Sequence, residues 1–173
     1  MTIISPYRFS FDLIEEYTRQ KTFGLLSTVS KKNRPHQTGT LYEVSPPESK
    51  FALFIPSSEK TAKIRNIRNN SEVSFIIPFP HNYFRFVPSS TITYRGKAEL
   101  TTIEDADVQR AFSAKRILRY NLKADPELLK ELVIIKINPE STVFCFGIGI
   151  SLLTLARSHT HSTYKVKIPP ERL

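Results

Sequence analysis

Five side chains able to hold an anion crowd one short stretch of the sequence: Ser57, Ser58, Lys60, Thr61 and Lys63. Ahead of them, the apolar Phe51-Ala52-Leu53-Phe54-Ile55 reads as a short buried strand. Behind them, Ile64 and Ile67 recur at helical spacing, so a helix is expected from the serines to about Arg68. Either serine can cap it. A helix start leaves backbone N–H groups open and carries the positive end of the helix dipole. Hydroxyls and two ammonium groups added there make a receptor for a phosphate monoester. The same residues also read as a solvated basic helix capped by serine, and composition alone does not choose between the two.

Other reactive side chains are few. Cys145, the single cysteine, sits between Phe144 and Phe146 and reads as a small buried hydrophobe. One thiol forms no internal disulfide, which points to a reducing, cytoplasmic compartment. The histidines are His36, His81, His159 and His161. His159 and His161 could share one face of a strand, but no Cys, Asp or Glu stands nearby to complete a metal site, so none is expected. No Ser-His-Asp order, carboxylate pair or Gly-rich phosphate loop is visible, so hydrolase chemistry finds no support and no catalytic residue is named.

The formal charge of +9 attracts phosphate-bearing ligands and polyanions at long range. The basic residues are scattered from Arg8 to Arg172 without a dense block. Tyr83-Phe84-Arg85-Phe86 interleaves aromatics with a cation, as single-strand nucleic-acid surfaces do. Such a loop equally suits a dimer interface or ring stacking, which is the preferred reading; nucleic acid is not the expected partner. Phe144 to Ala156, the longest apolar-rich stretch, falls short of the roughly 20 residues a spanning helix needs, and Pro6 interrupts any signal-peptide core. No membrane association is expected.

The elements that must position these groups are mostly strands. Ser10 can cap a helix over residues 11–20, with Leu13, Ile14 and Tyr17 on one face. Residues 23–30 and 35–44 read as a hairpin around Lys31-Lys32-Asn33-Arg34, and residues 73–77 as a further strand. Prolines 78, 80 and 88 place a loop over 79–88. Residues 91–100 alternate cleanly, with Ile92, Tyr94, Gly96, Ala98 and Leu100 on one face. Thr101-Thr102-Ile103-Glu104 offers a capping box for a helix to about Tyr120, and Asp125-Pro126-Glu127 a short helical turn. Residues 132–137 and 142–150 are the last two strands, the second with Phe144, Phe146, Ile148 and Ile150 inward and Cys145, Gly147 and Gly149 outward. About seven strands joined by hairpins close most economically into a small antiparallel β-barrel with flanking helices.

Three landmarks in order resemble the pyridoxamine 5'-phosphate oxidase-like family of FMN-binding split β-barrels. The first is the hairpin Leu25-Leu26-Ser27-Thr28 to Asn33-Arg34-Pro35-His36-Gln37-Thr38. The second is the strand-turn-helix, with Ser57, Thr61, Lys63, Ile67, Asn70, Ser71 and Val73 at matching positions. The third is Tyr94-Arg95-Gly96-Lys97-Ala98-Glu99-Leu100. The resemblance covers roughly residues 20 to 150. It implies a mainly β split barrel over residues 1–157, with residues 158–173 a loose basic tail. It further implies an FMN phosphate held by Ser57, Thr61 and Lys63, a ring or ribityl chain lined by His36, Gln37 and Thr38, and a homodimer sharing the pocket. Thr38 and Ala62 stand where the oxidase subgroup has Arg, which removes two guanidiniums, and Lys60 could supply one charge back. Arg157-Ser158-His159 only loosely echoes the substrate-gripping Arg-Leu-His of the vitamin-pathway oxidases, so no substrate is named. A heme-binding branch of split barrels exists, in which a tail histidine could serve. The expected function is an FMN-dependent oxidoreductase. The alternatives are a non-enzymatic flavin- or deazaflavin-binding protein and a basic nucleic-acid-binding barrel.

Overall fold

A computed structural model of the chain describes residues 9–81, 86–113, 131–157 and 162–173. Helix α1 (Phe11–Gln20) is followed by strands β1 (Phe23–Val29), β2 (Pro35–Leu41), β3 (Glu43–Val44) and β4 (Leu53–Ser58). Helix α2 (Ala62–Asn69) leads into β5 (Glu72–Phe79) and the long β6 (Ser90–Thr101). Helix α3 (Ala106–Ser113), β7 (Leu132–Pro139), β8 (Thr142–Phe146), α4 (Leu152–Arg157) and β9 (Thr163–Lys167) complete the order.

All nine strands join one antiparallel sheet: seven follow the order β2-β1-β5-β6-β7-β4-β3, and β8, paired with β6, carries β9 off that path. Strand β6 organises it. One edge pairs with β5 along its length, and the other is divided, its first half bound to β8 and its second half to β7. This division splits the barrel. The mainly β, split antiparallel barrel expected from the sequence is therefore present, with two strands more than anticipated: the short β3, cut from the 35–44 run, and β9.

The alternation read in residues 91–100 holds. Ile92, Tyr94, Gly96 and Ala98 are buried, while Arg95, Lys97 and Glu99 face outward. Helix α1 covers the core with Phe11 and Ile14 and is capped by Ser10 Oγ, which accepts from the Leu13 amide at 3.3 Å. Its Thr18 is a buried polar hub. The Thr18 hydroxyl donates to the Ile14 carbonyl and shares a 2.6 Å hydrogen bond with the Tyr94 hydroxyl, and Tyr42 donates to the Thr18 carbonyl at 2.5 Å. Such buried groups remain only because each finds a partner. The buried Glu15 carboxylate accepts from Arg19 and, across the fold, from Arg172 Nη2 at 3.0 Å.

Several boundaries differ from the sequence reading, each for a local reason. Strand β4 continues through both serines, and Thr61 stands at the N-cap of α2. Asp105, not the Thr101–Glu104 box, caps α3, accepting from the amides of Asp107 and Val108. Strand β5 runs on through Pro78 to Phe79. Strand β8 stops at Phe146 because Gly147 and Gly149 adopt φ of 74° and 71°, and α4 follows where no helix was expected. The faces of β8 are the reverse of those anticipated: Val143 and Cys145 point inward, and Phe144 outward. Outside, the Phe144 ring lies under the Arg95 guanidinium, 4.5 Å from the centroid, and the Lys165 ammonium at 5.2 Å. Residues 163–167, read as part of a loose tail, form β9 on β8. The expected turn at Asp125 and the end of the helix toward Tyr120 lie outside the described residues, as do Tyr83, Phe84 and Arg85 of the aromatic loop.

Cys145 is 2% exposed, and burial pushes its thiol up to about 12. It behaves as the small buried hydrophobe expected from its neighbours. In the folded protein at neutral pH, iodoacetamide should therefore leave it unmodified, and denaturant should render it reactive. Rapid alkylation of the native protein, read by intact mass, would contradict the inward face of β8.

Candidate phosphate and ring site

The corner between β4 and α2 gathers part of the anticipated site. Ser57 Oγ and Thr61 Oγ1 are 3.0 Å apart, and Thr61 Oγ1 also donates to the Ser58 carbonyl at 2.9 Å. Because the Thr61 side chain is engaged there, it makes no cap hydrogen bond to the helix. The first-turn N–H groups of α2 thus lack the usual hydroxyl acceptor. One residue into the helix, Lys63 is half-buried, and burial lowers its pKa below the ordinary lysine value. Among the described residues no carboxylate pairs with it. Thr61 gives its hydroxyl proton to the Ser58 carbonyl and Ser57 lies against Thr61, so both hydroxyls would have to turn to donate to a phosphate. The open N–H groups and the partly desolvated Lys63, two residues after Thr61, are the donors that suit one directly.

Ser58 and Lys60 are directed elsewhere. Both donate to the Glu131 carboxylate, Ser58 Oγ at 3.3 Å, and the Lys60 ammonium forms an ion pair with it. The hydrogen bond from Lys60 holds the Glu131 carboxyl below the usual carboxylate range. The Glu59 amide donates to the Glu131 carbonyl at 2.9 Å, so side chain and backbone fasten the same point. Glu131 had no signal in the sequence: it lies 71 residues from Lys60 and meets it only because Ser58 pairs with Leu132 across β4 and β7.

The three ring candidates lie on β2 but do not share a face. His36 and Thr38 are half-buried on one side, while Gln37 is exposed on the other and donates to Ser27 Oγ at 3.2 Å. A planar ring resting on one face of β2 would meet His36 and Thr38 but not Gln37. His36 Nδ1 is buried without a hydrogen-bond partner. Buried polar contacts fasten α2 to this hairpin: Asn66 Nδ2 donates to Thr28 Oγ1 at 2.9 Å, and Thr28 lies opposite His36. Asn33, in the turn, has φ of 54°, a left-handed conformation that asparagine tolerates better than most residues. A hollow of about 300 Å³ adjoins the hairpin, bounded by Thr28, Pro35, Ser74, Arg95 and Glu140. Larger clefts of about 400 Å³ and 530 Å³ lie around Arg19, Glu43 and Arg110 and around Glu72, Lys97 and Asn138. Ser57, Thr61 and Lys63 line none of these three.

A family model described as pyridoxamine 5'-phosphate oxidase matches residues 11–146. The chain belongs to that family. Solved structures agree on the fold. A heme-binding protein from Mycobacterium smegmatis superposes with a TM-score of 0.67 at 14% identity, over 95% of this chain and 60% of its own. The chain thus spans about 60% of that protein's length. HutZ, the heme storage protein of Vibrio cholerae, gives 0.61 at 18% identity, over 82% of this chain and 98% of its own. A putative pyridoxamine 5'-phosphate oxidase from Listeria innocua gives 0.56 at 24% identity, over 76% and 94%. No curated protein matches the sequence. Among the described residues no helix is long and apolar enough to cross a membrane. His159 and His161 lie outside the described residues.

Proposed function

We propose that this member of the pyridoxamine 5'-phosphate oxidase family binds FMN and acts as a flavin-dependent oxidoreductase in the cytoplasm. The observation that carries the reading is Lys63, a half-buried ammonium without a carboxylate partner among the described residues, beside the Ser57–Thr61 hydroxyl pair at the start of α2. Those three residues would hold the phosphate. His36 and Thr38 would meet the ring or ribityl chain from β2, whose register on β1 fixes their height. A bound flavin supplies hydride transfer at its N5 position. The protein's part is grip, orientation and exclusion of water, which requires no acid or base from the chain.

The test is direct. Purified protein titrated with FMN should show a perturbed flavin spectrum and quenched fluorescence. A reduced nicotinamide should then bleach the bound flavin, and failure of that step alone would leave a flavin-binding protein without turnover. Heme is the second reading, favoured by the names of two structural relatives and by the unpartnered Nδ1 of His36. Hemin titration giving a sharp Soret band, with no response to FMN, would select it.

A ring lying against the half-buried face of β2 needs cover. Phe23 and Leu41, paired across the β1–β2 hairpin, are 48% and 36% exposed. Exposed apolar pairs of this kind suit an interface, and a two-fold homodimer is the commonest solution. Added FMN should then raise the melting temperature and shift sedimentation toward dimer. A monomer at micromolar concentration with FMN at full occupancy would rule out a shared pocket.

A further inference from the structure

The stretch from Glu59 to Arg68, which includes the candidate phosphate site, holds four cations, Lys60, Lys63, Arg65 and Arg68, and the carboxylate of Glu59, and the fold brings Glu131 to it. The charges are partly cancelled in pairs. Arg68 Nη2 lies 2.5 Å from Glu59 Oε1, and Lys60 is bound to Glu131. Lys63 and Arg65 remain without a carboxylate partner among the described residues. Arg65, two residues after Lys63 in α2, stands on a different face of the helix and is exposed. Among the described residues Lys63 alone is thus the unpaired cation next to the hydroxyl pair, set against a phosphate monoester that carries nearly two negative charges at neutral pH.

The position of Glu131 matters as much as the count. Its carboxylate accepts from Ser58 Oγ, and the Ser58 carbonyl accepts from Thr61 Oγ1. One residue therefore links the carboxylate to the hydroxyl pair of the site. Its backbone carbonyl, bonded to the Glu59 amide, holds it there. A second phosphate attached to the first would bring more negative charge to a corner whose outer lysine is already neutralised by a carboxylate.

Building on the FMN reading, we propose that Glu131 is a specificity-determining residue, which keeps Lys60 out of the receptor and so selects a terminal phosphate monoester against pyrophosphate-bearing ligands. Removing the charge while keeping the hydrogen bonds should release Lys60 as a second free cation beside Lys63 and relax the choice.

The experiment measures displacement of FMN by inorganic phosphate and by pyrophosphate, on the full chain and on Glu131→Gln. In the variant, pyrophosphate should compete about ten-fold better, and inorganic phosphate and FMN should improve by no more than about three-fold. Lys60→Met should cost little in the parent and should abolish the gain in the Glu131→Gln background, a coupling that a purely structural clasp would not produce. Riboflavin affinity, blind to phosphate charge, reports whether the corner has stayed folded. If FMN binds the parent and Lys63→Ala weakens it, but Glu131→Gln leaves the phosphate-to-pyrophosphate ratio unchanged, this inference is overturned and the FMN reading stands. If FMN does not bind the parent at all, both fall.

Discussion

Lys63→Ala should weaken FMN binding by about 1.5–3 kcal/mol, roughly ten- to one-hundred-fold, and leave riboflavin binding nearly unchanged. The magnitude is that of one charged hydrogen bond in a partly desolvated place. The contrast between the two ligands isolates the phosphate, because riboflavin carries the same ring without it. The direction of the Lys63 pKa adds a second signature. Burial disfavours its charged form, so the folded chain gives up this proton at lower pH than a free lysine would. A bound phosphate favours the charged form and raises the pKa again. FMN affinity should therefore be fully present below the lowered pKa and decline as pH rises through it on the alkaline side. Riboflavin should show no such decline. Isothermal titration across that range measures both, and equal FMN affinity in parent and variant would remove the phosphate from this helix.

Gly96→Ala should be the most damaging small substitution in the sheet, costing about 3 kcal/mol and roughly 6–12 °C in melting temperature. A Cβ on Gly96 would stand 2.2 Å from the Asn138 carbonyl oxygen and 2.7 Å from Pro139 Cα. Both are backbone atoms of β7, which pairs with Gly96 at the point where β6 divides its partners. Neither can swing aside as a side-chain tip can, so the strand must shift or the pairing must break. Gly39→Ala is the internal control. Its Cβ would meet only the ring tip of the partly exposed Phe23, 2.7 Å away, and the cost should stay below about 1 kcal/mol. Thermal unfolding of the two variants side by side decides it. Equal losses would mean that the close approach of β6 to β7 is not what sets the effect.

The parts of the fold that were legible in the sequence are those where one face is apolar and the other is not. Strand β6 states its orientation outright, with Ile92, Tyr94 and Ala98 against Arg95, Lys97 and Glu99. The stripe of Ile64 and Ile67 does the same for α2, and both isoleucines are buried. Strand β8 has no such contrast. Val143 and Cys145 compete with Phe144 and Phe146, and bulk favours the wrong pair. The smaller residues face the core, and cations above Phe144 make its outward place tolerable. In β9 the signal was present, since Tyr164 and Val166 alternate with Thr163, Lys165 and Lys167, but the surrounding basic composition hid it.

The candidate site was legible to the extent that it is local. Ser57, Thr61 and Lys63 fall within seven residues, and the structure brings them to one corner. Ser58 and Lys60 were equally plausible by type and spacing. What turns them toward a different partner is Glu131, supplied by strand pairing rather than by sequence neighbourhood. Gln37 was separated from His36 and Thr38 by the two-residue period of β2, a rule available from the sequence once that strand is assigned.

The contact between Glu15 and Arg172 spans 157 residues, and Arg172 also accepts from the Phe51 amide through its carbonyl. A chain made from its N-terminus synthesises α1 and its carboxylate 157 residues before the arginine that completes their setting. Until then Phe11 and Ile14 can cover a nascent sheet, but Glu15 has only Arg19 to meet it. The hairpin β1–β2 likewise leaves one edge of β1 open until β5 has been made. Native pairings so distant along the chain form slowly, and unpaired strand edges invite association with other chains in the interval. The early translation product should accordingly depend on holding chaperones, and the finished fold should appear only after Arg172 has left the ribosome.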